Sequence, residues 1–183
     1  RGNACQAWAI MNGEDKIGLC IHKMVGGELD SGDIITRDYL PIDLNTNVTS
    51  IYKWMGDRTP FLFIEALKQL KNNPEYVLEI QSKDPKDALR CYPRKPEDGR
   101  IDWRQPAMHV LRLINASNKP YAGAYCEFEG KKMIIWDAKL VDDNEKFYAV
   151  PGQVTFVGED LLKVACGEGK IMIKEIVCNN FQT

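Results

Sequence analysis

The chain has 183 residues, of which 44% are hydrophobic and 27% are charged, and its formal net charge is −2. This balance is typical of a globular protein and excludes a disordered, collagen-like or coiled-coil chain. The length predicts one domain or two small ones. The apolar runs are too short to predict a membrane span, and no signal-peptide pattern opens the sequence.

Six cysteines are scattered without a CxxC pair, and there are only two histidines. This spacing does not match the usual zinc sites, so we expect no bound metal. Unpatterned cysteines are also typical of a reducing compartment, and we expect a cytoplasmic protein.

The first part of the chain predicts alternating helices and strands. Asn3 is a candidate N-cap for a first helix, which Gly13 ends. A strand over 17–22 has few polar residues, which predicts burial on both faces of a sheet. A second strand is predicted over 33–40, and apolar residues at helical spacing predict a long helix over 47–72.

The second part has a different pattern. Residues 82–99 are rich in Lys, Asp, Pro and Arg and predict an exposed linker, and a short helix is predicted over 106–115. Five short strands are then predicted, over 121–128, 132–139, 153–157, 161–166 and 170–177. Strands of this length and spacing favour a small OB-like β-barrel. We therefore divide the chain into residues 1–84, of α/β class, and 85–183, which hold the linker and the barrel.

The loop over 25–32 is the strongest candidate for a functional segment. Gly26 and Gly27 follow a strand and allow a ligand to approach the backbone closely, and the carboxylate of Asp30 comes three residues later. The same residues also fit an ordinary turn between two strands, and from this pattern alone both interpretations stay open.

The order and spacing of several short motifs resemble the formyltransferases that use N10-formyltetrahydrofolate. This family includes the sugar-nucleotide N-formyltransferases, methionyl-tRNA formyltransferase and glycinamide ribonucleotide formyltransferase. The resemblance covers nearly the whole chain. The matching segments are Arg1-Gly2, 8–10, 12–14, Gly18, His22, 28–34, Gln81, 96–103, 120–125, 151–152 and 165–169.

The resemblance implies an enzyme that transfers a formyl group from the folate, its co-substrate, to a primary amine. It implies that residues 1–84 are the later part of a Rossmann-like catalytic domain and that an OB-like domain follows. The family uses an Asn, a His and an Asp around a tetrahedral oxyanion, and the Asn and His precede the position of Arg1. We therefore expect this sequence to be the C-terminal part of a longer chain, although the residues leave open whether the protein itself lacks the first half.

The resemblance assigns the catalytic Asp to Asp30, which would pair with the His and help to remove the proton of the amine. It assigns folate binding to the loop residues Val25, Gly26, Gly27, Glu28 and Asp30, largely through backbone groups. His22 precedes this loop, and we expect it to be packed or hydrogen-bonded rather than catalytic.

The sequence gives less information about which primary amine is the substrate. Residues 85–183 carry 15 lysines and arginines against 14 aspartates and glutamates, which is a weak charge for a domain that would hold tRNA. The charged run over 94–99 also resembles the sugar-nucleotide enzymes of the family. This resemblance favours a nucleotide-linked dideoxyamino sugar, used in surface polysaccharides such as O-antigens, with Arg94 as a candidate for its phosphates. The alternatives are methionyl-tRNA formylation and, if the protein has only these 183 residues, a non-catalytic OB-type binding module. The sugar, the nucleotide and any homo-oligomeric state stay open.

Overall fold

The computed structural model describes residues 2–179. The first part of the chain contains α1 (Cys5–Asn12), β1 (Lys16–His22), β2 (Ile34–Pro41) and α2 (Val48–Asn72). A core of small and aliphatic side chains joins these elements, and Ala7, Val48 and Ile51 are fully buried in it. The predicted order of helix, strand, strand and helix is confirmed.

The start of α1 differs from the prediction. Ala4, in the left-handed region with φ 55°, occupies the N-cap position, and no side chain caps the helix. Asn3 does not cap it because its backbone N–H donates to the carbonyl of Cys91 at 3.1 Å, which holds residue 3 against a distant segment. Gly13 ends the helix as predicted, with φ 69°.

Strands β1 and β2 form a two-stranded antiparallel sheet, with register from Lys16 opposite Pro41 to His22 opposite Ile34. The predicted burial of β1 on both faces is wrong, because every residue of β1 is half-buried or exposed. Helix α2 packs against β1 and covers one of its faces. The hydroxyl of the buried Thr36 donates to the Leu62 carbonyl of α2 at 3.1 Å and fixes the helix on the sheet.

Helix α2 spans 25 residues and begins within one residue of the predicted start. The side chain of Asn47 caps it by accepting a hydrogen bond from the Ser50 N–H, which was not predicted from the sequence. After α2 the chain returns along β2, where the Ile34 N–H donates to the Glu79 carbonyl at 2.9 Å. The predicted linker contains only two single 3₁₀ turns, Pro85–Asp87 and Pro96–Gly99.

The second part begins with α3 (Ala107–Ala116) and continues with five strands, β3 (Ala124–Phe128), β4 (Lys131–Leu140), β5 (Val154–Val157), β6 (Leu162–Ala165) and β7 (Lys170–Asn179). All five predicted strands are present. They form one antiparallel sheet in the order β3-β4-β7-β6-β5. Helix α3 packs on this sheet, and the fully buried Ile114, Ile135 and Ile171 meet in the core between them.

The described pairings leave β3 and β5 at the two edges of this sheet. Closure into an OB-like barrel therefore stays a prediction, as does a Rossmann-like first part. What the structure shows is mixed α/β content with two antiparallel sheets, and α1 packs against α3 across the two parts. Within residues 2–179, no helix combines the length and the hydropathy that crossing a membrane requires.

Candidate functional site

The candidate site is the loop that joins β1 to β2. The N–H of Lys23 donates to the carbonyl of Asp33 at 2.9 Å, and this bond closes the base of the loop. The residues between them project from the end of the sheet, and Met24 and Leu29 are about four-fifths exposed, at 80% and 84%. The loop is therefore an exposed excursion on a fixed base.

The first half of the loop is a tight turn with an open backbone. The N–H of Glu28 donates to the carbonyl of Val25 at 3.3 Å, and Gly27 has φ 82°, a conformation that favours glycine. No atom lies within 4 Å of the position that a Cβ would take on Gly26 or Gly27. The peptide groups of the predicted folate-binding residues are thus accessible to a planar ligand.

Asp30 follows this turn in a left-handed conformation, with φ 57°. This region is uncommon for residues other than glycine, although aspartate tolerates it better than most. The side chain is exposed, and within residues 2–179 its carboxylate has no hydrogen bond or ion pair. Its negative charge reaches the thiol of Cys20 on β1. Burial raises the pKa of that thiol, Arg37 opposes the increase, and Asp30 adds to it.

The second half of the loop is held rigidly. A Cβ on Gly32 would lie 1.7 Å from the carbonyl oxygen of Lys23, so only glycine fits there. The side-chain amide of Gln81 donates to the Gly32 carbonyl at 2.5 Å. Asp30 therefore precedes by two residues a position, Gly32, that packs against Lys23 and is hydrogen-bonded to Gln81.

His22 is hydrogen-bonded to the protein, as predicted. Its Nδ1 lies 2.8 Å from the carbonyl oxygen of Lys23, at the base of the loop. Next to it, Arg37 and Glu79 form an ion pair at 2.8 Å, and the hydrogen bond to Glu79 raises the pKa of Arg37. This pair fixes the returning segment 79–81 along β2.

The sequence did not reveal the supporting role of this returning segment. Gln81 was noted only as part of the family resemblance, and nothing in its local pattern shows that it reaches a loop 49 residues away. Glu79 had no signal of its own.

Arg94, the candidate phosphate-binding residue, lies apart from this loop, in the linker. Its guanidinium donates to the carbonyls of Ala116 and Asp98, each at 3.1 Å, and to the hydroxyl of Ser117 at 3.0 Å. Its plane also faces the ring of Tyr121, at 5.7 Å from the centroid. Burial lowers the pKa of Arg94. This placement favours a structural role, and substrate binding by Arg94 stays a prediction.

A cavity of about 820 Å³ is lined by residues of both parts of the chain. Residues that follow β2 line it on one side, and residues of α3 and of β4, over 136–140, line it on the other. Because β1 and β2 are antiparallel, this cavity lies at the opposite end of the sheet from the loop, on the order of 20 Å away for seven residues of strand. It is a separate cavity from the candidate site. Within residues 2–179, no group of three or more His, Cys, Asp or Glu side chains is arranged to hold a metal.

The fold and the loop define a two-part chain, in which an α/β unit carries the candidate site and an antiparallel sheet domain follows. Two family models match these parts in the same order. The model described as formyl transferase matches residues 1–67, and the model described as formyl transferase, C-terminal domain, matches residues 94–180. The chain belongs to the formyl transferase family.

Several solved structures share the fold at low identity. HypX from Aquifex aeolicus in complex with tetrahydrofolic acid is 23% identical over 96% of this chain and 30% of its own, with a TM-score of 0.73. An N-formyltransferase from Helicobacter canadensis, in complex with folinic acid and dTDP-3-aminofucose, is 16% identical over 97% of this chain and 62% of its own, with a TM-score of 0.72.

Methionyl-tRNA formyltransferase from Clostridium thermocellum is 15% identical over 98% of this chain and 63% of its own, with a TM-score of 0.59. The chain thus spans less than two thirds of the length of these relatives. At such identities the likeness shows the common fold.

Proposed function

We propose that the protein transfers the formyl group of N10-formyltetrahydrofolate to a primary amine. The observation that carries this proposal is the match of both halves of the formyl transferase family, in order, to a chain whose candidate loop is open and carries a free carboxylate. Similar structures hold tetrahydrofolic acid or folinic acid, which supports the folate as the co-substrate.

In this proposal the turn from Val25 to Glu28 binds the pteridine ring through its backbone. The open space beside Gly26 and Gly27 supports this role, because a side chain at either position would stand between the ligand and the peptide groups. The fixed second half of the loop keeps the turn at a constant distance from the end of the sheet.

Asp30 is the proposed catalytic carboxylate. The attack of an amine on the formyl carbon yields an ammonium group that must lose a proton, and a carboxylate near the developing charges accepts that proton or orients an imidazole that does. Asp30 suits this role because no described side chain neutralises it and because its backbone is held by the anchored Gly32. The family resemblance adds an Asn and a His as its partners.

We propose a nucleotide-linked aminosugar as the amine substrate. The net charge of +1 on residues 85–183 supports it, because a domain that holds tRNA needs a concentration of positive charge. The similar N-formyltransferase from Helicobacter canadensis, in complex with dTDP-3-aminofucose, supports such a substrate. The second candidate is methionyl-tRNA, the substrate named for the Clostridium thermocellum relative.

The architecture proposed with this function is a Rossmann-like part over residues 1–84 and an OB-like part over 85–183. The first family match ends at residue 67 and the second begins at residue 94, which supports a boundary between them. A cytoplasmic location is part of the same proposal, since folate co-substrates and nucleotide sugars are soluble metabolites.

The test is a formylation assay on the complete protein that contains this chain. Nucleotide-linked aminosugars and initiator methionyl-tRNA are offered separately with N10-formyltetrahydrofolate. We expect turnover of an aminosugar nucleotide and none of the tRNA. The reverse result would replace the sugar by the tRNA, and no turnover of any amine, together with no folate binding, would refute the formyltransferase proposal itself.

The role of Asp30 is tested in the same assay. We expect Asp30→Asn to lower kcat by about two orders of magnitude or more while folate binding is retained, because the change acts on the transition state. Asp33→Asn is the matched control, since Asp33 closes the loop through its backbone carbonyl and its side chain is not needed for that bond. Near-normal turnover in the Asp30 variant would remove Asp30 from the mechanism.

A further inference from the structure

Two cysteines that the proposed function does not use lie together where α1 meets the linker. Gly2 forms a parallel bridge with Cys91, and the N–H of Asn3 donates to the Cys91 carbonyl at 3.1 Å. On the other side, the thiol of Cys5 donates to the carbonyl of Gly2 at 3.5 Å. The backbone of Gly2 therefore connects Cys5 directly to Cys91, although the two are far apart in the sequence.

The approach at this point is close and specific. A Cβ on Gly2 would lie 2.2 Å from the carbonyl oxygen of Cys91, and Gly2 has φ 107°, so a side chain would force the two segments apart. A few residues further along, the indole N–H of Trp8 donates to the carbonyl of Tyr92 at 2.8 Å. Hydrogen bonds thus hold the start of α1 and the linker together on both sides of the cysteine pair.

Both thiols line the same surface cavity, of about 430 Å³, and both side chains are half-buried. A small oxidant can therefore reach them. Burial raises the pKa of the Cys91 thiol, and the neighbouring Cys5 thiol raises it further, so the two sulfurs interact. The raised pKa lowers the thiolate fraction of Cys91, which slows its own attack on peroxide at neutral pH.

The other cysteines lie elsewhere in the fold. Cys20 is in β1, Cys126 in β3 and Cys178 in β7, and the buried Cys166 follows β6. They provide internal controls for any reaction of the pair.

We propose that Cys5 and Cys91 form a reversible disulfide when the protein meets a peroxide. One thiol, as its thiolate, attacks a peroxide oxygen, which gives a sulfenic acid and releases one water. The second thiol then attacks the sulfenic sulfur, the S–S bond forms, and a second water leaves. The pair loses two electrons and two protons, and hydrogen peroxide is reduced to two waters.

This disulfide ties the linker covalently to the first helix. The linker contains only two single 3₁₀ turns, and the hydrogen bonds from Asn3 and Trp8 already hold it beside α1. A bond between Cys5 and Cys91 closes a long loop of chain and so removes much of the conformational freedom of the unfolded state. Oxidation is therefore expected to stabilise the joint between the two parts of the chain.

The test treats the complete protein that contains this chain with hydrogen peroxide, then denatures it and blocks the remaining thiols with N-ethylmaleimide. Intact mass is expected to show two fewer blocked thiols than the fully reduced protein has. Tryptic mapping without reductant is expected to find the Cys5 peptide joined to the Cys91 peptide, and dithiothreitol is expected to separate them. This mapping uses the unaltered protein, so it does not depend on how any variant folds.

Variants then assign the reaction to the pair. Cys5→Ser and Cys91→Ser are each expected to abolish the joined peptides, whereas Cys126→Ser is expected to retain them. Peroxide is expected to raise the Tm of the unaltered chain by roughly 5 °C or more, and not that of the two pair variants. A disulfide to another cysteine, a bond between two chains, or oxidation of Cys5 and Cys91 to sulfinic acids without a bond would each overturn the proposal.

Discussion

Replacing Arg94 by methionine separates the two roles that have been considered for this residue. Methionine keeps an unbranched stem of similar length but has no donors. The substitution leaves the carbonyls of Ala116 and Asp98 and the hydroxyl of Ser117 without the guanidinium. If these bonds hold the linker on the end of α3, the loss appears as reduced stability of the folded chain.

The magnitude follows from the hydrogen bonds. Three bonds from a charged donor are each worth roughly 1.5 kcal/mol or more in a partly buried site. The Nε of Arg94 offsets part of this, because it is buried without a partner within the described residues and its desolvation is relieved by the substitution. A net loss of about 3 kcal/mol remains, which lowers the Tm by roughly 6–12 °C in a chain of this size.

The assay is thermal unfolding followed by circular dichroism, paired with substrate kinetics on the complete protein. Arg104→Met is the control, because Arg104 is exposed and, among residues 2–179, its side chain donates only to Asp102. Its Tm is expected to stay within about 2 °C of that of the unaltered chain. A Tm for Arg94→Met that stays equally close, together with a tenfold or larger rise in KM for the nucleotide sugar, would refute the structural reasoning and establish Arg94 as a substrate-binding residue.

Two further changes test the loop and the sheet domain. Gly32→Ala is expected to destabilise the chain by about 2 kcal/mol or more, because the new Cβ would overlap the carbonyl of Lys23, and denaturant unfolding measures the loss. Lys170→Met is expected to weaken the acid dependence of stability. The hydrogen bond from Lys170 lowers the pKa of Asp143, so this carboxylate stabilises the fold above its unfolded pKa of 3.8, and the contribution is lost as the pH falls below that value.

Each of these changes has a matched control. Gly26→Ala adds the same methyl group to the same loop where no atom lies within 4 Å, and it is expected to leave the unfolding free energy nearly unchanged. Lys174→Met removes an exposed lysine of β7 and is expected to leave the difference in Tm between pH 6 and pH 3 as it is in the unaltered chain. Equal effects in a variant and its control would contradict the contact on which the prediction depends.

The elements of this fold were predictable where their signal is local. Helix α2 follows from apolar residues at helical spacing, which lie within one stretch of sequence. The five strands of the second part follow from alternation between turns. By contrast, the burial of β1 depends on which elements cover its faces, and this is not a local property. Its few polar residues predicted cover on both faces, but within the described residues no residue of β1 is fully buried.

The same distinction applies to the candidate site. The open glycines and Asp30 are neighbours in sequence, so the loop was found from its composition. The residue that anchors the loop comes from elsewhere, because Gln81 lies 49 residues after Gly32. The contacts of Arg94 are also distant in sequence, since the carbonyl of Ala116 lies 22 residues after it. A charged stretch rich in proline predicted an exposed linker, and only the fold shows that one of its arginines is half-buried.

The candidate loop combines two properties that the proposed group transfer requires. Openness at Gly26 and Gly27 lets a ligand approach the backbone, whereas a carboxylate that moves protons must keep its position. Placing the anchor at Gly32, after Asp30 rather than before it, satisfies both requirements, because the turn is free to accommodate a ligand while the carboxylate stays close to the fixed end. A loop anchored only at its base would leave Asp30 as mobile as the turn, and Gly32→Ala is therefore expected to lower kcat in the complete protein even at temperatures where the fold is retained.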